Sequence, residues 1–198
     1  MKKSKIETAK TRRRIVKAAA AEFRRNGIHA TGLCELMAAA GLTHGGFYRH
    51  FDSKDQLIAE ACTAGMEAGV GRAVACHGAG KSGLKEIVAS YLSTAHRDNP
   101  SEGCLLAGLG SELARSGDKT RAAATAGILK LAEVITSKYS RTKPKTAKAQ
   151  ALVALSAMIG AITLSRIVTD PELSAAILDH TRKSLTAPPA SPRGPHHG

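Results

Sequence analysis

Apolar side chains recur near the start of this chain at the spacing of an α-helix. Ile15, Ala19 and Phe23 follow one another at intervals of four residues. Residues so spaced share one face of a helix, here predicted from about Thr8 to Asn26. Gly27 comes directly after this segment, and glycine is a common helix stop because it adopts the left-handed backbone conformation without a Cβ penalty.

Two shorter helices are predicted next. An apolar stripe runs through about Leu33–Ala40, and Gly41 ends it. Thr43 follows as the N-cap of a further short helix that extends to about residue 51. Two short helices joined by a tight turn containing glycine are typical of a helix-turn-helix.

The rest of the chain also favours helices, so an all-α fold is expected. Ser53 and Gln56 have the spacing of a capping box, which opens a long helix. This helix then becomes rich in glycine between Gly65 and Gly83, which predicts a weak or bent segment and a hinge between two halves. The remaining helices are predicted at about 83–97, 102–115, 119–140, 145–168 and 171–185.

The net charge of the chain indicates what kind of partner it binds. The 198 residues carry a formal net charge of +13. Residues 1–26 contain ten Lys or Arg against Glu7 and Glu22. So large a surplus indicates a polyanion such as nucleic acid, although a solvated basic tail that only aids solubility gives the same charge pattern.

Other compositional features narrow the class of protein. The four cysteines are far apart and form no Cys-x-x-Cys pair, which argues against a zinc site or a disulfide framework and favours a reducing cytoplasm. No stretch approaches the roughly 20 apolar residues of a membrane span, so no membrane association is expected. Neither a cofactor nor a metal is predicted.

One motif carries the functional information. Gly41 permits the turn between the two short helices, Thr43 leaves backbone N–H groups free, and Tyr48 presents a hydroxyl to a phosphate. The sequence Tyr48-x-His50-Phe51-x-Ser53-Lys54 completes it. With this motif, residues 8–62 resemble the DNA-binding domain of the TetR family of regulators.

The resemblance implies an N-terminal helix-turn-helix, an inverted-repeat operator on double-stranded DNA, a homodimer and an effector of unknown identity, either a small molecule or an electrophile. It implies phosphate contacts by Thr43, Tyr48 and Lys54. The residues implied to face the major groove are His44, Gly45, Gly46 and Arg49. Relatives often carry Lys, Arg, Ser or Thr in place of His44 and Gly46, so Thr31, Arg49 or the basic arm is expected to contribute more base contacts.

The expected domains are therefore a helix-turn-helix domain with a basic arm at 1–52, a helical regulatory and dimerisation domain at 53–187, and a disordered tail at 188–198. The last two helices are apolar on several sides, which predicts a four-helix dimer interface, with a monomeric core as the alternative. The residues assigned to this interface are Leu152, Leu155, Ile159, Ile162, Leu173 and Ile177.

Cys104 is the candidate sensor of thiol-modifying chemistry. It is expected in the first turn of a helix, where thiolates are favoured, and Gly103 is expected to leave its sulfur open. The Gly-Cys-Leu sequence is similar to the sensor-cysteine region of a repressor that responds to N-ethylmaleimide. Cys104 is equally consistent with a small packing residue in a helical core.

Two other classes of protein remain as alternatives. A thiol-dependent enzyme would need His96 as the base for Cys104. A non-specific architectural protein would bind DNA by charge alone. Within the regulator interpretation, repression is the family norm and activation stays open.

Overall fold

The computed structural model describes residues 5–76, 80–139 and 142–187, with the side chains of residues 80 and 81 left out. Within these ranges the chain is helical and contains no β-strand, which confirms the predicted all-α class. The beginning of the basic arm, Gly78 and the tail from residue 188 lie outside the described residues.

Most of the helices follow the predicted bounds closely, but the one predicted at 83–97 is divided at residues 92–93 into two shorter helices. In chain order they are α1 (Lys5–Asn26), α2 (Leu33–Ala39), α3 (Lys54–Ala75), α4 (Gly80–Tyr91), α5 (Thr94–Asp98), α6 (Leu105–Ala114), α7 (Asp118–Ser137), α8 (Pro144–Ile167) and α9 (Pro171–Thr186). Two 3₁₀ helices, His44–Arg49 and Pro100–Glu102, complete them. We call His44–Arg49 the recognition segment.

α1, α2 and the recognition segment form the N-terminal helical unit. The predicted stripe of α1 is buried, with Ile15 and Ala19 fully enclosed and Phe23 2% exposed. Gly27 and Gly41 end α1 and α2 with φ of +89° and +66°, conformations that a side chain would strain. These two turns set α2 across α1 and the recognition segment across α2.

Ser53 begins α3 much as the capping box predicts. Its Oγ accepts the N–H of Gln56 at 3.1 Å. The Gln56 side chain, in return, accepts the N–H of Asp52 at 2.7 Å, one residue earlier than in a standard box. Both bonds stabilise the start of the helix that joins the two halves.

Gly65 of α3 serves packing, and α3 continues without a break up to Ala75, where the sequence predicts a weak or bent segment. α3 is continuous and lies against α7. A Cβ at Gly65 would lie 3.2 Å from Leu105, and one at Gly127 of α7 would lie 2.5 Å from Met66. The missing side chains let the helices approach closely, so tertiary packing outweighs the low helix propensity of glycine.

The length and apolar composition of α8 correct the expectation that no segment approaches the length of a membrane span. Its mean hydropathy reaches 1.6 over an 18-residue window, so by length and composition this 24-residue helix could cross a membrane. In the structure α8 packs against α6, α7 and α9. Its buried side chains include Leu155, Met158 and Ile162, which join the core of the regulatory half.

Candidate nucleic-acid interface and regulatory half

The recognition segment presents most of its predicted contact residues to solvent. Thr43, His44, Gly45, Tyr48 and Arg49 are exposed, and Gly46 is half-buried. A Cβ at Gly46 would lie 3.6 Å from Met37, an ordinary contact, so this glycine lies against α2. The segment is a 3₁₀ helix, shorter than the predicted α-helix, and its outer surface is formed by polar groups and exposed backbone.

Two phenylalanines anchor this segment from behind. Phe47 and Phe51 are buried, with stacked rings 5.5 Å apart. Tyr48 meets Phe47 edge to face at 5.2 Å and remains 68% exposed. On the far side of Phe51, the Arg12 guanidinium lies 4.2 Å from the ring centroid. The aromatic contacts therefore fix the backbone while leaving the Tyr48 hydroxyl available to a phosphate.

Thr31 has a different position from the one predicted. Its side chain is fully buried, and its hydroxyl donates to the Gly27 carbonyl at 2.5 Å. The assignment of Thr31 to the DNA interface is corrected accordingly, because a hydroxyl enclosed between α1 and α2 cannot reach a base. Thr31 instead stabilises the turn that ends α1.

Lys54 also turns inward. Its ammonium donates to the carbonyl of Ile28 at 3.0 Å and to that of Thr31 at 2.7 Å. These bonds join the start of α3 to the turn between α1 and α2. Lys54 therefore bridges the turn and α3, and its phosphate contact stays a prediction, because an ammonium has three N–H donors and two of them are used here.

The same turn is held from the opposite side by Glu112 of α6, a residue that sequence reasoning missed. Its Oε1 accepts the N–H of Ile28 at 2.9 Å and that of His29 at 3.1 Å. These partners are 84 and 83 residues away along the chain. No local pattern signals a contact over such a separation.

Next to the recognition segment, α1 supplies cationic surface. Its exposed basic residues are Lys5, Lys10, Arg13, Arg14, Lys17 and Arg25, of which Arg25 forms an ion pair with Glu22. Arg12 also forms an ion pair, with Glu60 of α3. The charge surplus predicted for the N-terminal region is therefore largely available to a polyanion.

In the regulatory half, Cys104 is the N-cap of α6, one residue before the predicted helical turn. Its backbone N–H donates to His96 Nε2 at 2.8 Å. His96 Nδ1 lies 2.6 Å from the Tyr91 carbonyl and therefore carries the proton. Burial, with Arg166 and Arg72 nearby, lowers the pKa of His96. Both ring nitrogens thus have backbone partners, and neither acts as a base toward the thiol.

Three arginines from different helices hold the chain around Cys104. Arg24 of α1 donates to the Ser101 carbonyl at 2.7 Å, and Arg72 of α3 donates to that of Gly103 at 3.3 Å. Arg166 of α8 donates to the His96 carbonyl at 2.7 Å. The segment before α6 is therefore fixed in a positively charged environment.

The thiol itself is enclosed. Cys104 is 8% exposed, and a Cβ at Gly103 would lie 3.0 Å from both His96 and Arg166. Gly103 therefore does not leave the sulfur open, which corrects that expectation. Tyr91 lies beside the thiol: its hydroxyl oxygen is buried without a hydrogen-bond partner of good geometry, and burial together with Cys104 raises its pKa.

The predicted dimer residues do not share one surface. Ile162 is fully buried and Leu155 is 5% exposed, so both belong to the core of one chain. Ile159 and Ile177 are half-buried, whereas Leu152 and Leu173 are exposed. The outer face of α8, hereafter the α8 outer face, consists of Val153, Ala157, Gly160, Leu164 and Ile167, and its large side chains are exposed.

An open groove of about 390 Å³ lies between α6, α7 and α8. Its apolar lining includes Leu106, Leu113, Ile128 and Ile159, and Arg121 contributes a cation. A groove of this size and lining suits a small, mainly apolar molecule.

Comparison with known proteins identifies the N-terminal unit. Residues 15–61 match the family described as bacterial regulatory proteins, tetR family. Over 59 residues the chain is 39% identical to the probable acrEF/envCD operon repressor of Escherichia coli K12. This alignment covers 30% of the chain and 27% of the repressor, so the chain matches about a quarter of that relative's length.

Comparison of structures extends the similarity to the regulatory half. A TetR transcriptional regulator from Chloroflexus aurantiacus superposes with a TM-score of 0.74 at 26% identity, over 91% of this chain and 94% of that one. The reduced form of E. coli NemR superposes with a TM-score of 0.72 at 20% identity, over 89% and 95%. Residues 15–61 therefore match the tetR family of bacterial regulatory proteins, and the chain has the fold of these solved regulators over about nine-tenths of its length.

Proposed function

We propose that this protein is a cytoplasmic, sequence-specific transcriptional repressor. It binds an inverted-repeat operator as a dimer and is released by an effector. The observation that carries the proposal is the recognition segment, whose exposed Tyr48 and Arg49 are held by buried Phe47 and Phe51. The family match over residues 15–61 and the relative named as an operon repressor support it.

The test is selection of DNA from a random duplex library, followed by footprinting on the selected sequence. Two-fold symmetric helix-turn-helix proteins bind half-sites about one helical turn apart, or a multiple of that distance. We expect a palindrome that is bound at least 10³-fold more tightly than scrambled DNA. Equal affinity for both would favour the architectural alternative, in which charge alone holds the DNA.

The α8 outer face supports dimerisation. Val153, Leu164 and Ile167 are between 53% and 67% exposed, an unusual position for large apolar side chains on a long helix. Ala157 and Gly160 lie between them, and small residues allow two helices to approach closely. We place the dimer contact on this face, with Leu152 and Leu173 at its edge.

The groove between α6, α7 and α8 is the candidate site for a small-molecule effector. Its lining predicts a mainly apolar compound with an acidic group directed toward Arg121. Such a compound should raise the melting temperature of the protein and weaken operator binding. Replacement of Ile128 by Glu should abolish both effects without loss of operator binding.

Modification of Cys104 is a second route of release. Arg24 and Arg72 bind the carbonyls of Ser101 and Gly103 just before this cysteine, so modification of its sulfur would disturb a segment held by other helices. Addition of the thiol to N-ethylmaleimide forms a sulfur–carbon bond, breaks the carbon–carbon π bond of the maleimide and places the proton on its adjacent carbon. The added bulk has little room beside His96 and would displace the start of α6. Against this route stand the enclosure of the sulfur and its consistency with a packing role.

N-ethylmaleimide and hypochlorite titrations distinguish the two cysteine positions. If Cys104 is the sensor, operator release should be lost in Cys104→Ser and retained in Cys34→Ser. Cys34 is the comparison because it is exposed on α2 and open to the same reagents. Release lost only in Cys34→Ser would indicate blockage at the DNA surface. An equal response in all three proteins, or no response in the wild type, would leave Cys104 as a packing residue.

A further inference from the structure

The turn between α1 and α2 is one of the places where the regulatory half contacts the helix-turn-helix; the bond from Arg24 to the Ser101 carbonyl is another. The Glu112 carboxylate lies beside two successive backbone N–H groups: Oε1 accepts from Ile28 at 2.9 Å and from His29 at 3.1 Å, while Oε2 lies 3.1 Å from the Ile28 nitrogen. A charged acceptor makes stronger hydrogen bonds than a neutral one. This turn is therefore tied to α6 more firmly than apolar packing alone would tie it.

The turn is shaped to receive this carboxylate. Gly27 has φ +89°, and a Cβ placed on it would lie 3.1 Å from Glu112 Oε2. On the other side of the turn, Lys54 binds the carbonyls of Ile28 and Thr31. The N–H groups thus point to α6 and the carbonyls point to α3. Both polar sides of the turn are occupied by charged side chains of opposite sign.

Glu112 is near the end of a helix whose beginning is also held. α6 starts after Cys104, and Arg72 and His96 fix the backbone at residues 103 and 104. Gly110 and Leu113 of the same helix line the groove between α6, α7 and α8. Any molecule that displaces α6, from the groove or from its first residue, therefore displaces the acceptor of the Ile28 and His29 N–H groups.

We propose that Glu112 is a positioning residue for DNA recognition: it holds the turn before α2 and so sets the orientation of the recognition segment relative to the regulatory half. The inference rests on the proposed function, because it requires that the recognition segment bind an operator. α2 begins at Leu33, shortly after His29, and the recognition segment packs on α2. A displaced turn consequently moves both.

Two variants and a matched control test the proposal in the full-length protein. Glu112→Ala removes both acceptors, and Glu112→Gln keeps one neutral oxygen. Glu133→Ala removes the same charge from an exposed position on α7. Removal of a carboxylate by itself strengthens DNA binding through charge, so a loss of affinity in the Glu112 variants has another cause.

We expect Glu112→Ala to bind the selected operator about tenfold or more weakly, with a smaller loss for Glu112→Gln and no loss for Glu133→Ala. Affinity for random duplex should be unchanged or slightly higher in all three. This separation matters because loss of folded protein would reduce both affinities together. A misplaced recognition segment reduces only the specific one.

Amide hydrogen exchange supplies a local measurement that does not depend on DNA. In Glu112→Ala, exchange at Ile28 and His29 should accelerate at least tenfold, while the amides of α7 keep their wild-type rates. Unchanged exchange at these two amides, or wild-type operator affinity in both Glu112 variants, would overturn the proposal. A wild-type protein with no preference for any duplex would overturn the proposed function instead. The exchange rates would still show whether Glu112 protects the Ile28 and His29 amides.

Discussion

Tyr48 and Lys54 direct their polar ends in opposite directions although both belong to the same sequence motif. The Tyr48 ring lies against Phe47 and its side chain remains 68% exposed, whereas the Lys54 ammonium is bound to the carbonyls of Ile28 and Thr31. We therefore expect Tyr48 to bind the DNA backbone, whereas Lys54 holds the turn. The two substitutions should therefore affect different measurements.

Tyr48→Phe should weaken binding to operator and to random duplex by a similar factor, about tenfold, because it removes one hydrogen bond to a charged phosphate. The melting temperature should not change, because the described contact of Tyr48 inside the protein is made by its ring and not by its hydroxyl. Fluorescence anisotropy with both duplexes measures the effect, and Tyr139→Phe, beyond the end of α7, serves as control. A loss confined to the operator would indicate that Tyr48 reads bases.

Lys54→Met should lower the free energy of unfolding by about 1.5 kcal/mol, because the charged donor to two carbonyls is lost. If the ammonium only bridges the turn, the slope of log K against log salt should stay at its wild-type value. A residue that neutralises a phosphate would instead flatten this slope by about 0.9. Urea denaturation and binding at several salt concentrations decide between the two roles.

The segment from α5 to the start of α6 is held in place mainly by hydrogen bonds from side chains of other helices. α5 is short, and Arg166 of α8 binds the Arg97 carbonyl within it. Arg24 of α1 and Arg72 of α3 bind the carbonyls of Ser101 and Gly103 after it. His96 belongs to the same arrangement through its bonds to Tyr91 and Cys104. The stability of this segment should therefore depend on the protonation state of His96.

Protonation of His96 should destabilise the protein in mild acid. Burial lowers the folded-state pKa of His96 below 6.5, so the unfolded state binds more protons as the pH falls. The contribution of His96 to stability is therefore complete above about pH 6.5 and is lost as the pH falls below that value. Urea unfolding at pH 8, 6.5 and 5 should show this loss in the wild type and a smaller one in His96→Gln.

His180→Gln is the matched control for that experiment, because His180 is exposed on α9. It should follow the wild type at every pH. The acidic residues with lowered pKa, Asp98 and Asp179, lose their contribution only at a lower pH than this range. An identical pH dependence in His96→Gln and the wild type would show that the histidine does not control the segment.

At the scale of the whole molecule, one face of α8 is buried in the core of its own chain and the α8 outer face is exposed. Leu164→Asp on the α8 outer face should give a folded monomer with weak operator binding, because a charge would be buried between two copies. Ile162→Ala should remain dimeric and lose about 2–5 kcal/mol of stability through a cavity in the core. Sedimentation velocity at low micromolar concentration measures the first effect, and a dimeric Leu164→Asp would exclude this face as the contact.

The sequence predicted best what depends on neighbours a few residues away. Ile15, Ala19 and Phe23 define α1 because helical periodicity is local, and the cap at Ser53 is read from Gln56. The positions of Lys54 and Glu112 could not be predicted, because long-range packing brings their partners together. Thr31 bonds to Gly27, only four residues away, but its burial depends on how the helices around it pack. Periodicity also could not separate Ile162 from Leu164, since a helix that is apolar on most sides does not reveal which side its own chain covers.

The contact between Gly27 and Glu112 has a consequence for engineered biosensors that combine the DNA-reading half of one regulator with the sensing half of another. A chimera joined at residue 53 takes position 27 from one parent and position 112 from the other. If the first parent carries any side chain at position 27, its Cβ meets the carboxylate at 3.1 Å. If the second lacks an acceptor at position 112, two amides lose their partner. Compatible parents can therefore be chosen by inspecting these two positions before any gene is built.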